Sequence, residues 1–340
     1  MMLLAVTAAL LAIPGRMPPL SKAPYSAKTN HITSFDDNPP FKGIVVLEDL
    51  GCPDLHRYRI QRHFLDDSGK LLTPLSDNEI SSITSSTSTA KILKHIVHRL
   101  ASSDAPVDAK EVAESIEFYL RSGKRAIGAA RRVLNNNNVS EEQSRDSGPV
   151  VKEHCIQQKR TMVVKDLCSG HGLTGMLFAA CNPPGRLSAS IQVILVDRSE
   201  PQSHSILRDL ISEVCPWVNK DTVQFVEADL DKYVAKSLSC DVAPDDASII
   251  ISTHACGSLT DNVIRYAVES RAASVSVMPC CYTGTAKGTP FGIQRMLGVS
   301  ASADISRSFY LHEAGYHTDF AAIPKAITPM NRLIVAERRC

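Results

Sequence analysis

The side chains best suited to chemistry fall in two short segments, Ser252-Thr-His-Ala-Cys-Gly-Ser-Leu-Thr-Asp261 and Met278-Pro-Cys-Cys-Tyr282. Each follows an apolar run of strand character, so His254, Cys256, Cys280 and Cys281 are placed to converge at the ends of two neighbouring strands. An imidazole with an ordinary pKa near 6.5 suits removal of a proton from a hydroxyl or amine at neutral pH. One His and three Cys are also a suitable donor set for zinc. A lone activated thiolate at Cys280 would suit covalent addition to a pyrimidine ring. A zinc deaminase is the reading of another class, but it needs Glu where Cys256 stands, and cysteines spaced by two rather than adjacent. We expect the four side chains to wall a tight reaction pocket with His254 as base, and assign no metal.

What must position them is a second segment, Asp166-Leu-Cys-Ser-Gly-His-Gly-Leu-Thr-Gly175, introduced by the apolar Met162-Val163-Val164. A strand that ends in an acid and turns through Gly170, Gly172 and Gly175 into a helix, expected from Met176, makes a nucleotide-cofactor loop. Its glycines let backbone approach a ligand and let helix and strand pack closely. The helix N-terminus then presents unpaired N–H groups. Asp197 ends the next strand, 22 residues beyond Gly175, where a carboxylate can accept from both hydroxyls of a ribose.

These features suit either a nicotinamide dinucleotide or S-adenosylmethionine (SAM), and the acids favour SAM. Asp166 stands four residues before the first loop glycine, near the methionine end of a SAM molecule, where dinucleotide loops run apolar. Asp229 closes a third strand in Phe225-Val-Glu-Ala-Asp229 and can accept from the adenine amine. Cofactor contacts are therefore expected at Asp166, Cys168, Gly170, Gly172, Gly175, Asp197, Asp229, Ser252 and Thr253. Strands are expected at 161–165, 191–196, 223–226, 248–251 and 274–278, alternating with helices, which implies a largely parallel sheet. A closing pair is expected at 316–323 and 332–336.

The His-x-Cys-Gly…Thr-Asp segment, the Pro279-Cys280-Cys281 turn and Thr328-Pro-Met-Asn-Arg-Leu-Ile334 resemble one group of class I SAM-dependent methyltransferases. That group contains the eukaryotic acceptor-stem tRNA 2′-O-methyltransferase, methyltransferase-like proteins of the ribosomal-RNA adenine dimethylase-like type, and a methyltransferase domain fused to a glutathione-transferase-like region. The resemblance covers about residues 160 to 338. It implies an α/β Rossmann-like seven-stranded sheet, with SAM held at Asp166, Gly170, Gly172, Asp197 and Asp229, and with His254, Cys256 and the Cys280-Cys281 turn facing the methyl group. Two departures stand out. Residues 41–150 show no Cys/His spacing of a zinc finger, which the tRNA enzyme carries upstream. An Asn/Asp-Pro-Pro-Tyr segment is missing after the fourth strand, which disfavours methylation of the adenine amine.

The rest of the chain bounds the acceptor. A net charge of +1 excludes the molecule as a whole from electrostatic nucleic-acid binding, so any basic surface must be local. The stretch Arg121, Lys124, Arg125, Arg131 and Arg132 has no acid within it and would form a phosphate-contacting face if helical. RNA is the expected acceptor on this stretch and on the resemblance. A protein or small-molecule acceptor is the alternative, and a non-catalytic SAM-fold interaction protein the second. Ten cysteines in 340 residues are too dilute for a disulfide scaffold. No apolar run reaches the roughly 18 residues of a membrane span. Residues 1–40, with the apolar run Leu3–Ile13 and no acid before Asp36, are expected to be a targeting leader or disordered tail, so either an organelle or the cytoplasm fits. Residues 41–134 are expected to be a smaller, mostly helical region. They hold a short strand at 43–47, a basic segment at 55–65, and helices at 91–100 and 108–120. A linker is expected at 135–150, followed by the methyltransferase domain at 151–340.

Overall fold

The computed structural model describes residues 86–143 and 161–339, apart from 104, 188, 240–246, 283–288, 325–326 and 329. The expected leader, the short strand at 43–47 and the basic segment at 55–65 lie outside the described residues. Seven strands form one sheet: β1 (Thr161–Leu167), β2 (Ser190–Asp197), β3 (Val223–Glu227), β4 (Ile249–Ser252), β5 (Ser274–Val277), β6 (Tyr316–Ala322) and β7 (Arg332–Arg338). Their order is β3-β2-β1-β4-β5-β7-β6. The first five are parallel, and β7 inserts antiparallel between β5 and β6. The expected closing pair is present, and the order in which strands are added reverses beside β1, which pairs with both β2 and β4. Ligands in open parallel sheets bind at such a switch point, beyond the carboxyl ends of the strands.

Helices cover both faces, and the strands show why. Met162 and Val164 point to one core, while Leu167 points to the other. Val193 and Leu195 likewise alternate with Val196. The first core packs α1 (Thr89–Ser102), α2 (Ala109–Gln143), α3 (Leu173–Ala180) and α4 (Gln202–Val214). The second packs α5 (Leu230–Ser239), α6 (Ser258–Glu269) and α7 (Phe291–Glu313). Gly298, at φ 78°, breaks α7 within its first half.

Helix α2 departs from expectation. It is one helix of 35 residues, not a short helix, a basic stretch and a loop. Asp108 starts it by accepting a hydrogen bond from the Glu111 backbone N–H at 2.8 Å. Val112, Ile116, Tyr119, Ala126, Ala130 and Val133 then recur on its buried face. Asn135–Asn138 are helical, because Asn costs well under about 1 kcal/mol per residue in a helix that is already nucleated. The first part of the expected linker is therefore the end of α2. Both N-terminal helices share the hydrophobic core of the sheet. Tyr119 meets Phe178 of α3 edge to face at 5.0 Å, and Ser115 accepts from the Thr174 hydroxyl at 3.0 Å.

The basic stretch on α2 also differs from expectation. Arg121 is almost wholly covered and pairs with Glu117 at 2.7 Å. Arg125 reaches Glu337 at 2.7 Å and Asp319 at 2.8 Å, and Arg132 pairs with Glu337. Three of the five expected phosphate contacts are therefore ion pairs, two of them fastening α2 to β6 and β7. Lys124 and Arg131 are exposed.

Candidate functional site

The loop between β1 and α3 is shaped by residues at positive φ: Cys168 (59°), Gly170 (55°) and Gly172 (81°). Gly172 is the N-cap of α3, which begins at Leu173, one turn earlier than the sequence suggests. A Cβ on Gly175 would lie 2.5 Å from Leu195 Cδ2 and 3.2 Å from Asp166 Oδ2, so glycine is required for α3 to press against β1 and β2. At Gly170 the space a Cβ would take is open. This is the glycine whose bare backbone faces the cleft.

Two acids fasten the loop. Asp166 is fully buried. Its Oδ2 accepts from the Gly175 N–H at 3.0 Å, while Oδ1 has no partner. Burial raises its pKa to about 7, the negative charge of Asp197 adds to the rise, and the Gly175 hydrogen bond opposes it. At the end of β2, Asp197 accepts from the Gly170 N–H through Oδ2 and from the Arg198 N–H through Oδ1, each at 2.7 Å. A carboxylate oxygen has two lone pairs, so both oxygens retain capacity for a ribose diol.

Beside this loop lies a cleft of about 270 Å³, lined by Cys168, Gly170, Val196, Asp197, Arg198, Ala228, Leu230, His254, Cys256 and Leu259. Five expected site residues, Cys168, Gly170, Asp197, His254 and Cys256, thus share one cavity. Asp166, Gly172 and Gly175 act one layer behind it, holding the loop. Three other expected site residues, Ser252, Thr253 and Asp229, are not among the residues lining the cleft. The buried Ser252 hydroxyl donates to the Leu167 carbonyl at 2.6 Å, tying β4 to β1, and Thr253 is buried next to it. Asp229 accepts from the Asp231 N–H at the start of α5 and lies 3.5 Å from the Arg198 guanidinium. Its neighbours Ala228 and Leu230 line the cleft, and its own carboxylate stands at the start of α5 beside them.

On the far wall, Met278 N–H donates to Ser252 O at 2.9 Å and Gly257 N–H to Cys281 O at 3.3 Å, so the two catalytic-type turns run side by side. Cys256 Sγ lies 2.7 Å from Cys280 Sγ, and the three thiols of Cys256, Cys280 and Cys281 lie within 4.8 Å of one another. Burial and the neighbouring thiols push Cys280 up to about 12. Such a thiol is protonated at neutral pH and is a poor nucleophile, which weighs against the covalent pyrimidine reading. His254 is exposed at the mouth of the cleft. Desolvation by the protein packed around its ring nonetheless lowers its pKa, against the opposing pull of Glu114 and Glu111.

Some of the site was missed from the sequence. The first turn of α2 reaches the loop, where Glu111 pairs with His171 at 3.4 Å. This hydrogen bond is the main cause that holds Glu111 below the usual carboxylate range. Glu114 is buried and pairs with Lys110 at 2.6 Å. His171 stood inside the loop motif and could have been noticed. Nothing in the sequence places α2 beside it. Arg198, directly after Asp197, was equally visible.

A family model described as a methyltransferase domain matches residues 146–287. The chain is 34% identical over 119 residues to a glutathione S-transferase C-terminal domain-containing protein of Xenopus laevis, and 29% identical over 119 residues to its Bos taurus counterpart. Each match covers 35% of this chain but only 16% and 15% of those proteins, so the chain spans a small part of the length of the relatives it matches. Among solved structures, the Methanococcus jannaschii fibrillarin pre-rRNA processing protein overlays with a TM-score of 0.35 at 13% identity, over 53% of this chain and 67% of its own. The match over residues 146–287, on a seven-stranded Rossmann-like α/β sheet, gives this part of the chain as a methyltransferase domain and the protein as a methyltransferase that uses SAM.

Proposed function

We propose that the protein transfers the methyl group of SAM to RNA, with His254 taking the proton from the acceptor. The observation that carries this reading is the asymmetry of the cleft. Its cofactor wall is closed by backbone, whereas on the acceptor wall His254 and Cys256 are exposed to solvent. A mouth of that kind admits a nucleotide on a long chain. The motif resemblance to the acceptor-stem tRNA enzyme supports the same class of acceptor.

The residues present fit the cofactor. Gly170 offers an open cradle, Asp197 a ribose acceptor, and Ala228 and Leu230 an apolar edge for a purine. When bound there, SAM supplies an electrophilic methyl on a sulfonium. The chain's own contribution is alignment and exclusion of water around an in-line displacement, which is the main source of rate for such a step. A His254 held below its ordinary pKa is neutral at pH 7, and its free ring nitrogen is ready to accept a proton from a hydroxyl or amine.

The test is transfer of radiolabelled methyl from SAM into total RNA and total protein by the full chain. Label in the RNA fraction, sensitive to ribonuclease and absent with Asp197→Ala, is the expected result. Label confined to protein would replace RNA by a protein acceptor. Retention of SAH binding with loss of labelling in His254→Ala supports the base assignment, and unchanged labelling removes it.

A further inference from the structure

We infer that Cys256, Cys280 and Cys281 form a site for a single thiophilic divalent cation, with zinc the best match. Among the described residues, these three thiols are the group whose ligand atoms come together, all within 4.8 Å of one another. They come from two turns held in register by the sheet. β4 and β5 pair in parallel, and the Gly257-to-Cys281 and Met278-to-Ser252 hydrogen bonds extend that pairing past the strand ends. The approach of the two turns that carry the thiols is therefore built by backbone.

Around zinc, three thiolates at about 2.3 Å stand roughly 3.8 Å apart along the edges of a tetrahedron. The Cys256–Cys280 separation of 2.7 Å lies inside that edge, and the outer limit of 4.8 Å lies beyond it. Small rotations of the three side chains reach it. A disulfide joins two sulfurs at about 2.05 Å and leaves the third without a role. A divalent cation uses all three. Binding releases one proton from each thiol, so three neutral thiols and M²⁺ become one complex of charge −1 and three protons.

His254 is not part of this group, and the fourth position is left to water or another oxygen donor. Cys256 is exposed and lines the cleft beside His254. The open side of the cation therefore looks toward the place where an acceptor would enter, as in sites that hold three protein ligands and one exchangeable one. Metal occupancy does not rest on the RNA proposal and can be read without any methyl transfer.

The test uses the full chain, purified with zinc in the medium and without chelator. Elemental analysis is expected to give about one zinc per chain. Replacement by cobalt is expected to give the thiolate charge-transfer band and the intense visible bands of tetrahedral coordination. Cys256→Ser and Cys280→Ser are expected to lower metal content at least about fivefold, while Cys215→Ala, at a buried thiol elsewhere, leaves it unchanged. SAH binding by each variant shows that it is folded. As a readout independent of the variants' folding, wild-type protein is also alkylated with and without a chelator. Three thiols that react only after chelation support the site. Less than about a tenth of a zinc per chain, with chelator-independent alkylation, overturns it. So does a Cys256–Cys280 disulfide found in native protein by peptide mapping.

Discussion

The two walls of the cleft are built by opposite means. The proposed cofactor wall is backbone: left-handed residues at 168, 170 and 172, N–H groups anchored on Asp166 and Asp197, and a helix that starts at Leu173. The proposed acceptor wall is side chain, made of the exposed His254 imidazole and Cys256 thiol, with the Cys280 and Cys281 thiols close behind Cys256. A backbone wall binds one constant molecule. A side-chain wall can be re-cut for different acceptors without disturbing it. The same contrast predicts that damage to the first wall is severe and uniform, whereas damage to the second changes what is methylated.

The largest effect is expected at Asp197. Replacing it by Ala removes a charged acceptor from the Gly170 and Arg198 amides and from any bound ribose. Hydrogen bonds to charged groups are worth about 1.5–3 kcal/mol each. The expected loss is about 100-fold or more in affinity for SAH, read by titration calorimetry. A change of less than threefold would falsify the assignment of Asp197 to the cofactor site.

Glycines on the same wall separate packing from binding. Gly175→Ala drives a methyl to within 2.5 Å of Leu195, and overpacking of this kind costs about 1–3 kcal/mol. Thermal unfolding should show a fall of several degrees, since 1 kcal/mol shifts Tm by about 2–4 °C in domains of this size. Gly170→Ala meets no atom, but its φ of 55° costs about 1–2 kcal/mol for an L-residue. Its excess effect should therefore appear in SAH affinity. If both variants lose stability and binding in the same proportion, the open cradle at Gly170 is not a ligand contact.

Much of the first wall was legible because it obeys local rules. An acid at a strand end, glycines where φ turns positive and alternating apolar strands are written within about 30 consecutive residues each. All seven strands lie within a few residues of their expected places. The second wall was legible only in its ingredients. His254, Cys256, Cys280 and Cys281 were visible, but α2 was not, because a helix carries no mark of what its first turn will touch. The Arg stretch misled for a related reason. A cation in sequence does not show whether its partner is a phosphate or, as at Glu337, a carboxylate some 200 residues away.

Between the walls, Asp166 supplies a pH signature of intermediate size. Its pKa near 7 in the folded chain exceeds the value of 3.8 it has when unfolded, so the native state holds a proton that the unfolded state gives up. The stability from this group is complete below about pH 4 and is lost as pH rises through 7. His204 works in the other direction. Burial lowers its pKa, so its contribution is lost as pH falls below about 6.5. Asp166→Asn keeps an acceptor for the Gly175 amide and removes the titration. Relative to wild type, its Tm should gain between pH 5 and pH 8. A difference that does not vary with pH rejects the buried-proton account.

The smallest effects divide α2 against itself. Arg125 and Arg132 hold Glu337, whose pKa is lowered by those two partners in spite of its burial. A depressed carboxylate contributes stability that is present above its unfolded pKa and lost as pH falls. Arg125→Ala should therefore cost about 1 kcal/mol at pH 7, as partly exposed pairs do, and less at pH 4. Lys124 and Arg131 stand on the same helix but are exposed. Reversing both to Glu should leave stability within about 0.5 kcal/mol of wild type. If RNA lies along this face, the same double change should weaken RNA binding several-fold and flatten its salt dependence by about 1.5 in log–log slope. The decisive outcome is a crossed one, in which the Arg125 variant loses stability and keeps RNA affinity while the Lys124/Arg131 variant does the reverse. Equal RNA affinity in all three proteins would move the RNA path off α2 and toward Arg198, an exposed cation that lines the cleft.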